Sequence, residues 1–132
     1  MFKIFSVKTG AQASFSDITP QVAAVVSASK IGEGICVVTV PHTTAGLTVN
    51  ENADPSVQED IITALDKLVP VRGPYRHSEG NSHAHVKSSL LGHSHILHVS
   101  GGSLKLGTWQ GIFLCEFDGP RTREVHVSVI PA

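Results

Sequence analysis

Charge is scarce in this chain. Lysine, arginine, aspartate and glutamate together make up 16% of its 132 residues, and ten basic side chains against eleven acidic ones leave a formal charge of -1. That balance offers no basic field to a nucleic acid and no polybasic anchor to a membrane. Cysteine is nearly absent. Cys36 and Cys115 stand alone in apolar runs with no CxxC spacing, which suits reduced, buried thiols rather than a disulfide framework. Long apolar stretches are missing too, since none reaches the roughly 18 residues of a membrane helix. The opening MFKIFSVKTG has neither the apolar run nor the cleavage site of a signal peptide. These absences lead to the expectation of a cytoplasmic protein. What is present is a 41% hydrophobic content, enough for one core and a single domain over residues 1–132. The low-charge surface leaves room for subunit contacts.

Patterning supplies the elements. Phe2 to Lys8 alternates as a strand, and Ala13 to Phe15 is placed to pair with it through a turn at Gly10. Thr19 followed by Pro20 reads as a helix start, with Val22, Val25 and Val26 forming one stripe that ends by Gly32. Ile35 to Val40 is a β-branched run of the buried-strand type, closed by Pro41. Asp54 with Pro55 opens a second helix whose apolar face is Val57, Ile61, Leu65 and Leu68. Ser94 to Val99 is a strand, with His93, His95 and His98 about a solvent-facing edge. Trp109 to Asp118 alternates between two largely apolar faces, DGPR at Asp118 to Arg121 reads as a hairpin turn, and Glu124 to Ile130 returns with Val125, Val127 and Val129 inward. About seven strands and two or three helices, with antiparallel hairpins at both ends, make the class α+β.

Two polar stretches do not read as core. RHSEGNSHAHVKSSLLG, from Arg76 to Gly92, holds three of the eight histidines. His77 and His85 lie across a Gly80-Asn81 turn, where they could aim at one point. Val86 and Leu90, four apart, fit a short helix, on which His83 and His85 diverge by roughly 200°, so one points inward. His85 is the expected inward residue. The alternative is a set of solvated loop histidines, because the spacing matches no strong zinc signature. The second stretch, His42 to Asp60, sets His42, Thr43, Thr44, Asn50, Glu51 and Asn52 beside buried strands. Turn chemistry and capping can account for its Asn and Asp residues. Glu116, in an apolar strand, needs a cationic, metal or hydrogen-bonding partner. A salt bridge to Arg121 or Arg123 would be the structural answer.

Three blocks, HTTAGLTVNENADPS, HSEGNSHAHVKSSLLG and LGTWQGIFLCEFDGPRTREV, resemble the YjbQ-like family, also called secondary thiamine-phosphate synthase enzymes, nearly end to end. The resemblance implies a two-sheet β-sandwich with flanking helices, assembled as a trimer about a threefold axis. It implies a polar pocket with a divalent metal on His42, His77 and His85. It also implies a weak thiamine-phosphate synthase activity, joining hydroxymethylpyrimidine diphosphate to a thiazole phosphate with loss of pyrophosphate.

That chemistry needs charge stabilisation on the leaving oxygens. Thr43, Thr44, Asn50, Asn81, Gly102 and Arg121 are the candidate substrate-binding residues, and Glu116, Asp118 and Arg121 the candidate catalytic group. Three histidines form a softer site than magnesium prefers, which favours zinc, while magnesium could accompany a diphosphate. Three readings stay open: a transferase acting on a phosphorylated small molecule, a metal-dependent hydrolase, and a binding protein without turnover.

Overall fold

The computed structural model describes residues 1–132. In chain order the elements are β1 (Phe2–Lys8), β2 (Ser14–Asp17), α1 (Thr19–Ser29), β3 (Gly34–Thr39), β4 (Ala45–Glu51), α2 (Pro55–Leu68), α3 (Ser82–Leu91), β5 (Ser94–Ser100), β6 (Ser103–Leu104), β7 (Gln110–Glu116) and β8 (Thr122–Pro131). One sheet runs β1-β8-β3-β5-β6 and the other β2-β7-β4, with every pairing antiparallel. The expected α+β sandwich is present, with eight strands.

Alternation makes the core. On β8 the side chains of Val125, Val127 and Val129 are buried, and their register partners on β3 include Cys36 and Val38. These meet Leu47 of β4, Ile112 and Leu114 of β7, and Ile18, Val22 and Val26 at α1 in one cluster. The outer face of the smaller sheet is closed differently. Phe113, Cys115 and Phe117 pack with Ala84 of α3, and Phe15, Leu65 and Leu91 lie against them. Both cysteines are free and buried.

The pairing differs from the sequence expectation at both ends of the chain. β2 pairs with β7, not with β1, and β1 pairs with β8. Asp118 to Arg121 is therefore no hairpin turn; it carries the chain from one sheet to the other. A local pattern records that a segment is a strand but not which distant strand its hydrogen bonds reach, and here Thr9 N–H bonds to Arg121 O at 2.9 Å while Gly119 N–H bonds to Gln12 O at 3.1 Å. The two crossings lock to each other.

The helices follow their signals. Asp54 caps α2 by accepting from Ser56 N–H at 2.9 Å, with Pro55 at the first position. Pro20 sits in the first turn of α1, but Thr19 is already helical and its hydroxyl accepts from Ile112 N–H at 2.8 Å. α3 forms as expected with the opposite face inward. His83, Ala84, Lys87 and Ser88 are buried, whereas Val86 and Leu90 are exposed.

Candidate functional site

His85, Ser88 and Ser89 stand at i, i+3 and i+4 on α3 and so share one face. With Gly92 and His93 beyond the helix, and His42 and Thr43 after β3, they line a cavity of about 350 Å³ that contains no hydrophobic residue. Backbone contacts hold the helix end against β4. Leu47 N–H donates to Gly92 O at 3.0 Å, and Ser88 Oγ donates to Ala45 O at 2.7 Å. Gly46 is required at this approach, because a Cβ there would lie 2.8 Å from Gly92 O. A second, more open cavity of about 320 Å³ is lined by His77, Ser82, His85 and Val86. His85 belongs to both, and its ring meets that of His77 edge to face at 5.5 Å between centroids.

His42 is fixed by the sheet beneath it. Its Nε2 accepts the Glu124 backbone N–H at 2.8 Å. Burial pushes its pKa below the usual histidine value, and the Arg123 guanidinium adds to this, against smaller opposing effects from the Glu124 backbone and the Glu124 and Glu116 carboxylates.

The expected three-histidine ligand set does not fit a shared ion as the side chains stand. No three His, Cys, Asp or Glu side chains are grouped so as to hold a metal. His42 has committed its Nε2 lone pair to Glu124 N–H, and His77 and His85 meet as an edge-to-face ring pair.

Glu116, expected as a possible general base, is part of the scaffold. It is fully buried and faces Arg123, itself 2% exposed. Oε1 accepts from Thr9 Oγ1 at 2.8 Å and Arg123 Nε at 2.9 Å; Oε2 accepts from Phe117 N–H at 3.1 Å, Asp118 N–H at 3.0 Å and the Arg123 terminal nitrogen. Burial alone would raise its pKa, but Arg123, Thr9 and Asp118 N–H together hold it below the ordinary carboxylate value. With every acceptor position used, no lone pair is left for a substrate proton. Thr44 serves the same ion pair, its hydroxyl and carbonyl oxygens accepting from Arg123 at 2.9 and 3.2 Å. Of the two arginines proposed for Glu116, Arg123 is the partner.

The other expected site residues separate from the cavity. Arg121 pairs with Asp118 at 2.9 Å, and Asn81 donates to the same Asp118 oxygen at 2.8 Å, tying the start of α3 to the crossing. None of the three lines either cavity. Asn50 is exposed near the far end of β4, where its Oδ1 accepts from Glu51 N–H at 2.8 Å. Gly102 lies beyond Val99, the partner of Gly34 at the start of β3, whereas His42 follows the end of that strand. Those two ends are separated by roughly 17 Å of extended chain. Thr43 alone among the expected substrate-binding residues lines the cavity.

His83, not His85, is the buried histidine of α3, at 3% exposure. Lys87 Nζ donates to its Nδ1 at 3.0 Å and to Asp66 at 2.6 Å, and its Nε2 faces the Gln12 amide at 3.3 Å. Burial first, then Lys87, keeps its pKa low. His93 was expected on a solvent-facing edge, and it is exposed, yet it also walls the cavity. Ser88, Ser89 and Gly92 carried one available signal in the sequence: helical spacing from His85.

A larger cavity of about 660 Å³ lies at the opposite end of the five-stranded sheet, among Gly34, Ile35, His98, Ile130 and Pro131. Its polar side chains are Glu33, His98 and Ser100, and Glu33 is already engaged by Ser100 Oγ and Gly101 N–H.

A family model described as UPF0047 protein YjbQ-like matches residues 3–132. UPF0047 protein MJ1081 of Methanocaldococcus jannaschii is 52% identical over 98% of this chain and 94% of its own length. UPF0047 protein YugU of Bacillus subtilis is 45% identical over 98% and 99%. Among solved structures, a conserved yjbq/upf0047 family protein from Clostridium acetobutylicum superposes with a TM-score of 0.96 at 53% identity, covering 97% of this chain and 99% of that one. A YbjQ-like protein of unknown function from Sulfolobus solfataricus gives 0.96 at 36% identity, covering 100% and 97%.

Proposed function

The chain belongs to the YjbQ family, UPF0047, and from that starting point we propose that it is a two-substrate transferase of the thiamine-phosphate synthase type. The observation that carries this reading is His85, the wall between two cavities of about 350 and 320 Å³. Each volume sits at the small end of the range for small-molecule sites. One substrate in each would meet past the edge of the imidazole, with the reacting atoms in direct contact.

The two linings differ in the way the two substrates would require. The larger cavity, with His42, Thr43, Ser88, Ser89 and His93, has hydroxyls and imidazoles suited to a diphosphate. The other carries Val86 and the edge-to-face His77 and His85 rings, suited to a heterocycle. In the step proposed, the thiazole ring nitrogen attacks the pyrimidine methylene carbon. A C–N bond forms as the C–O bond breaks, and pyrophosphate leaves with the electron pair. Donors on the first cavity would take up the charge that develops on the leaving oxygen. Holding the two partners in line is the protein's other contribution. A hydrolase would need only one cavity beside a water. The test is release of pyrophosphate with hydroxymethylpyrimidine diphosphate alone, with thiazole phosphate alone, and with both. Release that needs both supports the transferase, and equal release with the diphosphate alone overturns it in favour of hydrolysis.

Exposed side chains support a homotrimer as part of the same reading. Directly paired residues share a face, so Phe2, Ser128, Val37 and Ile96 form one outward row of the five-stranded sheet, and Ile130, Ile35 and His98 the next. Phe2 is 58% exposed and Ile96 68%. Apolar rows of this kind suit burial against a second copy.

A further inference from the structure

His42 was expected to bind a metal, and its surroundings point elsewhere. β3 ends at Thr39, which pairs with His126 of β8. Two residues earlier on β8, past the last β3 pair, the Glu124 N–H donates to His42 Nε2 at 2.8 Å. A backbone N–H can only donate. Nε2 is therefore the acceptor, and the one proton of a neutral imidazole must sit on Nδ1. Nδ1 has no hydrogen-bond partner within the chain and is not among the buried unpartnered atoms, so it reaches solvent from a residue that walls the 350 Å³ cavity. The lining of that cavity contains no carboxylate. A protonated ring nitrogen has no lone pair to offer a cation, but it can donate to an anionic oxygen.

We infer that His42 is a tautomer-locked Nδ1–H donor and that this cavity takes a phosphate or diphosphate oxygen rather than a metal ion. This deepens the transferase reading and rests on it for the identity of the diphosphate, but its test needs no turnover. Long-range nitrogen–proton NMR on the intact protein reads the tautomer, and the expected result is a protonated Nδ1 and an unprotonated Nε2 at His42. Calorimetric titration with inorganic pyrophosphate then compares wild type with His42→Asn and His42→Gln. The Asn amide reaches the position of Nδ1, and the Gln amide that of Nε2. His42→Gln should weaken pyrophosphate by roughly tenfold or more, the loss of one hydrogen bond to a charged group, whereas His42→Asn should retain most of the affinity. Thermal melts establish that both variants are folded. Zinc titration of wild type and His42→Gln should give indistinguishable curves. A protonated Nε2, pyrophosphate affinity unchanged in both variants, or zinc binding lost with His42 would each overturn the inference. Pyrophosphate binding that depends on His42, without any two-substrate turnover, would uphold the donor and reject the transferase.

Discussion

Replacing Glu116 with glutamine should cost the fold far more than the chemistry. The carboxylate accepts five hydrogen bonds, two of them from Arg123, and neither side chain reaches solvent to a useful degree. Glutamine keeps one acceptor oxygen and, whichever way it is turned, points an amide N–H₂ at an Arg123 nitrogen that can only donate. Arg123 is left as a buried charge with its neutralising partner gone. Breaking a buried pair from one side costs about 3–5 kcal/mol. A domain of this size has roughly 5–15 kcal/mol in total. At this chain length that corresponds to a melting temperature lower by roughly 10 to 20 °C. Calorimetry and denaturant melts of Glu116→Gln measure it. The double variant Glu116→Met with Arg123→Met serves as the control, because removing both charges together should recover most of the loss. A melting temperature within about 2 °C of wild type, with activity abolished, would refute the scaffold assignment and return Glu116 to the catalytic machinery.

Acid should destabilise the protein, and three groups agree on the sign. His42 and His83 have folded-state pKa values below the unfolded value of about 6.5, so the unfolded chain binds more protons and stability falls as pH drops from there. Glu116 is likewise depressed, so its contribution is present above the unfolded carboxylate value and is lost as pH falls through the folded one. Denaturant midpoints measured from pH 8 down to 4 should decline monotonically; a midpoint that rises below pH 6 would contradict the assignment. Ile96→Glu places a charge on the outer sheet face without touching the core, so light scattering should show the proposed trimer in the wild type and a monomer in the variant. A wild-type monomer at micromolar concentration would remove the proposed assembly.

Much of the fold was legible because local signals and tertiary packing agree. Asp54 with Pro55 starts α2, and the Val125, Val127 and Val129 alternation gives the inner face of β8. Strand partners were not legible, since β1 to β8 and β2 to β7 are contacts across most of the chain. The face of α3 was misread for a physical reason. His85 was expected inward, whereas His83 and Lys87 are the buried residues, because Asp66 and His83 satisfy the Lys87 ammonium. A lysine in sequence reads as surface, and nothing local announces partners one helical turn back and 21 residues away. The same limit applied to the site. The sequence expected His42, His77 and His85 around one ion, whereas His42, Thr43 and His85 line one cavity and His77 lines another with His85. Asp118 and Arg121 were grouped with each other in the sequence and do pair, but their contact with Asn81 was not foreseen, because the crossing that carries them runs between sheets.

Histidine side-chain NMR during separate titrations with pyrophosphate and with thiazole phosphate tests most directly whether two adjoining cavities share one wall. His42 and His93 should respond to pyrophosphate, His77 to thiazole phosphate, and His85 to both. Responses confined to His98, in the cavity at the other end of the sheet, or the same set of histidines shifting with either ligand, would contradict the two-cavity site.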